Sequence, residues 1–103
     1  MPWIKVATEA EFTGPVRVVE YDGIDIAVFR LEDGFYAIDD LCSHAEASLA
    51  EGDVVNGCEI ECPLHGARFD IRTGKNLSAP AVVPVDAYPV KVEEGVVYVE
   101  VED

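Results

Sequence analysis

The chain has 103 residues, the length of one domain, and half of them are hydrophobic, which excludes a disordered chain. Its 21 acidic and 7 basic residues give a formal net charge of −14. That balance excludes nucleic acid and anionic membranes as partners, since both need a basic footprint. It fits docking on a basic protein surface, or acidity that merely keeps a small protein in solution.

No apolar run approaches the roughly 20 residues of a membrane helix. The start, MPWIKVATEA, lacks a basic stretch followed by an apolar one. A cytoplasmic location is therefore expected. The three cysteines are an odd number, which argues against a disulfide scaffold and for a metal or redox role in a reducing compartment.

In chain order, Thr8-Glu9-Ala10-Glu11 has capping-box spacing and predicts a short helix that Gly14 and Pro15 stop. Val16 to Tyr21 and Ile24 to Leu31 flank Asp22-Gly23, a hairpin signal. Phe35 to Ile38 follows Asp33-Gly34, a second hairpin signal. A further helical turn is expected at Glu46 to Leu49. Val85 to Val92 and Val96 to Val101 flank Glu93-Glu94-Gly95, the third hairpin signal. Short strands at this spacing predict an all-β sandwich or barrel. Trp3 reads as a packing residue, and the four tyrosines as core or edge residues of strands. Residues 39 to 80 are loop-rich and hold every Cys and every His.

Those residues form two half-sites. The first is Cys42-Ser43-His44 and the second Cys62-Pro63-Leu64-His65, with seventeen residues between His44 and Cys62. Two Cys and two His are enough ligands for one metal centre. A zinc finger groups its Cys together and its His together, whereas each half-site here supplies one of each. A two-iron cluster explains the ordering better, with each loop placing its Cys on one iron and its His on the other. Two neutral imidazoles in place of two thiolates make such a site less negative, so it accepts an electron more easily than an all-Cys one.

The segments CSHAEASLAEG and CPLHGARFD resemble the two binding boxes of Rieske iron–sulfur proteins. The resemblance is strongest over residues 40 to 70, and the length and the GVVYVEV strand extend it over the chain. It implies one [2Fe–2S] cluster held by Cys42, His44, Cys62 and His65. The implied fold is all-β, with antiparallel sandwich- or barrel-like sheets carrying a small two-loop cluster-binding subdomain at about residues 39–80 of a single 1–103 domain. Respiratory-type relatives carry an extra Cys in each box; Ala47 and Leu64 stand there, so that disulfide cannot form. The chain is thus most similar to the ferredoxins of multicomponent aromatic-ring dioxygenases. Its potential is expected at the lower end of the Rieske range, roughly −150 mV upward.

The resemblance implies a soluble one-electron carrier in aromatic hydrocarbon catabolism, and not a catalytic enzyme. A flavin-dependent ferredoxin reductase would be the donor and a terminal oxygenase the acceptor. With only two His, both used by the cluster, no mononuclear oxygenase iron is expected. A monomer is expected, since a carrier exposes its cluster to two partners in turn. One alternative is the Rieske-type small subunit of another oxidoreductase, such as a nitrite reductase. Another is a zinc-stabilised interaction domain.

Several neighbouring residues have assigned readings. Cys58 reads as a small inward-facing thiol, sharing a strand face with Ile60 and Cys62, or as an alternative ligand. Gly66 is expected to allow close approach of backbone N–H groups to the sulfurs. Pro63 stiffens its loop, Phe69 anchors core or loop, Asp70 caps the turn before Thr73-Gly74, and Pro80 belongs to a third loop shielding the cluster. Seven acids lie between Asp39 and Glu61, and three of the seven basic residues between Arg68 and Lys75. They predict a docking face with an acidic side and a small basic side, or solvated loop charges with no specific role.

Overall fold

The computed structural model describes residues 2–12, 14–42, 47–64, 66–78 and 83–101. Among them are ten strands, one 3-10 turn at Leu49–Glu51 and no α-helix. The strands are β1 (Trp3–Thr8), β2 (Val16–Tyr21), β3 (Ile24–Leu31), β4 (Gly34–Asp39), β5 (Asp53–Val55), β6 (Glu59–Glu61), β7 (Arg68–Asp70), β8 (Ala87–Tyr88), β9 (Val90–Glu93) and β10 (Val96–Glu100). They form three sheets, ordered β1-β10-β9, β2-β3-β4-β8 and β5-β6-β7. Every pairing is antiparallel. The expected all-β architecture is therefore the observed one. No helix of the described residues is long and apolar enough to cross a membrane, which says nothing of a β-barrel.

The first hairpin forms at the expected residues. Tyr21 pairs with Ile24, and Asp22 and Gly23 turn the chain with φ of 51° and 81°. Positive φ at both central positions matches the right-handed twist of the strands, and Asp and Gly tolerate it. The second turn lies one residue earlier than expected. Leu31 pairs with Gly34, so Glu32 and Asp33 make the turn and Gly34 opens β4. The third is tighter than expected, since Glu93 pairs with Val96 and only Glu94-Gly95 turns. Glu94 adopts φ 51°, a conformation that favours Gly, Asn or Asp. Glu94→Asn should therefore stabilise the protein by about 1 kcal/mol, read as a higher midpoint in urea.

The capping box forms without a helix. The Thr8 N–H donates to Glu11 Oε1 at 2.9 Å and the Glu11 N–H donates to Thr8 Oγ1 at 3.2 Å. These bonds with Thr8 hold the Glu11 carboxyl below its ordinary pKa. The Phe12 N–H closes the turn on the Thr8 carbonyl at 3.1 Å, and the chain then leaves through Gly14 and Pro15. One turn yields too few backbone bonds to propagate a helix. Of the turn expected at Glu46 to Leu49, Glu46 lies outside the described residues, and the 3-10 turn starts at Leu49.

The segment expected as one strand over Val85 to Val92 is two. Pro89 has no N–H to give a ladder. Before it, β8 pairs with β4; after it, β9 pairs with β10. The break moves the chain from one sheet to another. Strand β1 was not anticipated, and Trp3 lies on it, 37% exposed, with Lys91 Nζ 4.5 Å from its ring centroid. The four tyrosines are half-buried on strands, as expected.

Strand β3 is buried on both faces, from Ile26 through Phe29. Its side chains alternate between two cores. Ile26 and Val28 join Ala7, Phe12, Ala37, Val97, Val99 and Val101 beneath the β1-β10-β9 sheet. Ala27 and Phe29 join Ile38 in a second core that includes Leu49, Ile60, Phe69, Ile71 and Val85, and also Cys42 and Cys62. The four-stranded sheet is thus a middle layer, and its second face supports the cysteine-bearing segment.

Candidate metal centre

Each cysteine of the two half-sites follows the end of a strand. Cys42 lies three residues beyond the end of β4 and Cys62 directly beyond β6. They are 3% and 1% exposed, within the same core cluster. The two boxes close alike. The Cys42 N–H donates to the Ala47 carbonyl at 3.0 Å, and the Cys62 N–H to the Ala67 carbonyl at 2.7 Å. In each box four residues lie between Cys and Ala, with one His among them: CSHAEA and CPLHGA. His44 and His65 lie outside the described residues.

The first box is bound to the 3-10 turn by the residue two before its cysteine. The Asp40 carbonyl accepts from the Leu49 N–H at 2.7 Å. Asp40 Oδ1 accepts from the Ser48 hydroxyl and from the Ala50 N–H, each at 2.9 Å. The adjacent Asp39 is tied to the returning chain. It accepts from the Tyr88 hydroxyl and, at 3.2 Å, from the Asp86 N–H.

Two glycines bring the neighbouring segments into backbone contact. A Cβ at Gly52 would stand 1.9 Å from the carbonyl oxygen of Glu61, the residue before Cys62. Gly52 ends the 3-10 turn of the first box, so this contact joins the two boxes. A Cβ at Gly74 would stand 2.1 Å from the Val85 carbonyl oxygen, and the Val85 N–H donates to the Gly74 carbonyl at 2.9 Å. That contact ties the returning chain at Val85 to the boxes' sheet. Pro80, assigned to a third loop, lies outside the described residues.

Gly66 shapes the turn of the second box. Its φ is 75°, its N–H donates to the Cys62 carbonyl at 3.0 Å, and a Cβ there would meet nothing within 4 Å. It serves the turn by positive φ. Pro63 lies in that turn. Phe69 is fully buried opposite Ile60, a core anchor as expected. Asp70 accepts from the Arg72 N–H at 2.8 Å on Oδ1 and from the Gly74 N–H at 2.7 Å on its carbonyl, which is the expected turn cap.

Cys58 does not share a strand face with Cys62. Strand β6 starts at Glu59, and Cys58 ends the turn Asn56-Gly57-Cys58, half-buried and outside the core cluster. None of the three cysteines is disulfide-bonded. Two of the three basic residues between Arg68 and Lys75 sit in ion pairs at the surface. Arg68 pairs with Glu61 at 3.1 Å and Arg72 with Asp33 at 3.0 Å. The Tyr36 hydroxyl and the Asp33 carboxylate hold the Arg72 guanidinium above its ordinary pKa. Among the described acids of the 39–61 segment, Glu51 and Asp53 remain exposed.

Two buried thiols at matching positions of two closed boxes suit a metal centre with soft ligands. Burial also excludes water from the thiolate side, and the donors fit a [2Fe–2S] group. Two thiolates cannot complete the four-ligand set of such a group, so further donors are needed, and each box contributes one His in sequence.

A family model describing the Rieske [2Fe-2S] domain matches residues 2–89. The 3-phenylpropionate/cinnamic acid dioxygenase ferredoxin subunit of Photorhabdus laumondii is 47% identical over 90 residues, 87% of this chain and 85% of the relative. Among solved structures, the ferredoxin of carbazole 1,9a-dioxygenase from Nocardioides aromaticivorans IC177 superposes with a TM-score of 0.91 at 41% identity, covering 99% of this chain and 100% of that one. A chain in the complex of reduced oxygenase and oxidized ferredoxin of carbazole 1,9a-dioxygenase gives a TM-score of 0.87 at 40% identity, covering 97% of both. A chain described as a nitrite reductase NADPH small subunit shares the fold, with a TM-score of 0.81 at 20% identity. Sequence, fold and paired cysteine boxes agree: the chain belongs to the Rieske [2Fe-2S] family, whose cofactor is a Rieske-type [2Fe–2S] cluster.

Proposed function

We propose that this chain is the ferredoxin component of an aromatic-ring-hydroxylating dioxygenase system. The observation that carries the reading is its end-to-end match to a carbazole dioxygenase ferredoxin, at 41% identity over 99% of this chain and 100% of that one. When bound, the cluster supplies reversible one-electron redox chemistry. Cys42 and Cys62 would hold the inner iron as thiolates, and His44 and His65 the outer iron as neutral imidazoles. Residues 39–80 would form the cluster-binding part of one domain spanning the chain. The cores around Cys42 and Cys62 keep the thiolates dry and fixed, which limits the rearrangement that electron transfer requires. A ferredoxin reductase would be the donor and a terminal oxygenase the acceptor, with the carrier acting as a cytoplasmic monomer.

The reading is tested by turnover. The purified chain should couple a flavin-dependent ferredoxin reductase to a terminal aromatic oxygenase, measured as hydroxylated product per electron supplied. Reduction of nitrite by a partner reductase in place of that product would favour the small-subunit alternative. Glu51→Gln with Asp53→Asn should slow electron transfer at low ionic strength and approach the wild-type rate in high salt. An identical salt dependence in both proteins would mean these charges only solvate the loops.

A further inference from the structure

Asp40 is the buried charged side chain of the described residues, at 6% exposed. It takes no part in the proposed ligand set, yet it stands two residues before Cys42. Its backbone ties the first box to β3, and its carbonyl and carboxylate hold the 3-10 turn that ends the box. Its N–H donates to the Asp25 carbonyl at 3.0 Å, and its carbonyl accepts from the Leu49 N–H at 2.7 Å. Its Oδ1 accepts from both Ser48 Oγ and the Ala50 N–H at 2.9 Å. Leu41 and Ser48 form a bridge between these bonds, and Cys42 closes on Ala47 just inside them.

Chain geometry alone does not require a carboxylate here. An amide or hydroxyl would accept the same two bonds without the cost of burying charge. A buried charge acts over a longer range than an exposed one, because water screens it less. The potential of an iron–sulfur centre responds to net charge and to hydrogen bonding around its ligands. We infer that Asp40 is a positioning residue for Cys42 whose buried negative charge also lowers the cluster's reduction potential, with Ser48 moderating that charge. The inference rests on Cys42 being a cluster ligand, as proposed above.

The test is a redox titration of the cluster-loaded protein, followed by electron paramagnetic resonance, on wild type, Asp40→Asn and Ser48→Ala, with iron counted on each sample. Asparagine keeps an oxygen acceptor for Ser48 and Ala50 but removes the charge. Its potential should rise with iron content retained. Ser48→Ala keeps the charge and removes one donor to it, so its potential should fall. Loosening of the box would move both variants in the same direction. A potential in Asp40→Asn that is unchanged or lowered, or a rise in both variants, overturns the inference while leaving Cys42 as a ligand. Should Asp40→Asn fail to hold iron, Ser48→Ala decides: a fall supports the inference and an unchanged or raised potential overturns it. A wild-type chain without iron would instead overturn the ligand assignment, and the inference with it.

Discussion

Cys62→Ser is expected to abolish cluster binding, with iron falling from about two per chain to near zero and the visible absorbance of the centre lost. Cys62 is 1% exposed and belongs to a core of apolar side chains that includes Ile60, Ala67 and Phe69. A serine hydroxyl there is a harder and weaker ligand for iron than a thiolate. Cys42→Ser should behave alike, because Cys42 occupies the corresponding position in the other box. Cys58→Ser is the control. Its thiol is half-buried in a turn outside that core, and its loss should leave iron at the wild-type level. Iron retained in Cys62→Ser but lost in Cys58→Ser would reverse the assignment. Iron analysis and absorbance spectra on the purified variants check it.

The second large effect concerns the glycines between the boxes. Gly52→Ala would drive a methyl group into the Glu61 carbonyl, where an ideal Cβ stands 1.9 Å away. Both sides of this contact are backbone, so neither can rotate aside. The 3-10 turn of the first box must move away from the strand feeding the second, at a cost of about 3 kcal/mol. Gly74→Ala adds a φ of +79° to a similar clash at Val85, so its cost should be larger still. Gly66→Ala has a comparable φ of +75° but no protein atom within 4 Å of an added Cβ. It should cost only the backbone term, about 1–2 kcal/mol. Urea unfolding of the cluster-loaded proteins should therefore rank Gly74→Ala and Gly52→Ala well below Gly66→Ala in midpoint. Equal midpoints for Gly52→Ala and wild type would mean that the contact between boxes is not rigid.

The hairpin at Asp22-Gly23 was legible to the residue because a two-residue turn with positive φ leaves few choices of sequence or register. The paired Cys and His boxes were legible for a chemical reason, since few residue types ligate iron and their order constrains how a cluster is shared. Other features depend on partners distant in sequence. Strand β1 has no turn signal of its own and exists by pairing with β10 at the far end of the chain. Strands β5, β6 and β7 have three residues each, too short for a periodic pattern. The Asn56-Gly57 dipeptide between Val55 and Glu59 was the available sign of their first hairpin. It would also have placed Cys58 in a turn. Pro89 could have divided the last long strand, because proline cannot serve a continuous ladder.

At the site, sequence identified the two cysteines that the structure buries together. It did not separate them from Asp40, Gly52 and Gly74, which position them. Asp40 looks like one of seven acids between Asp39 and Glu61 until its burial sets it apart. Sequence marks Gly74 only as a turn residue and does not single out Gly52, and only the opposing carbonyls of Glu61 and Val85 reveal why no side chain fits at either. The partners of the local charges were hidden for a similar reason. Arg68 and Arg72 form a local basic stretch in sequence, but β6 and the β3–β4 turn bring Glu61 and Asp33 to them.

The central claim is that this chain carries a two-iron cluster with mixed Cys and His ligands. The most direct measurement is electron paramagnetic resonance of the dithionite-reduced protein, with iron and acid-labile sulfide counted on the same sample. The account predicts the rhombic signal of a Rieske centre, with about two irons and about two sulfides per chain. Zinc in place of iron, with no sulfide and no signal, would contradict it.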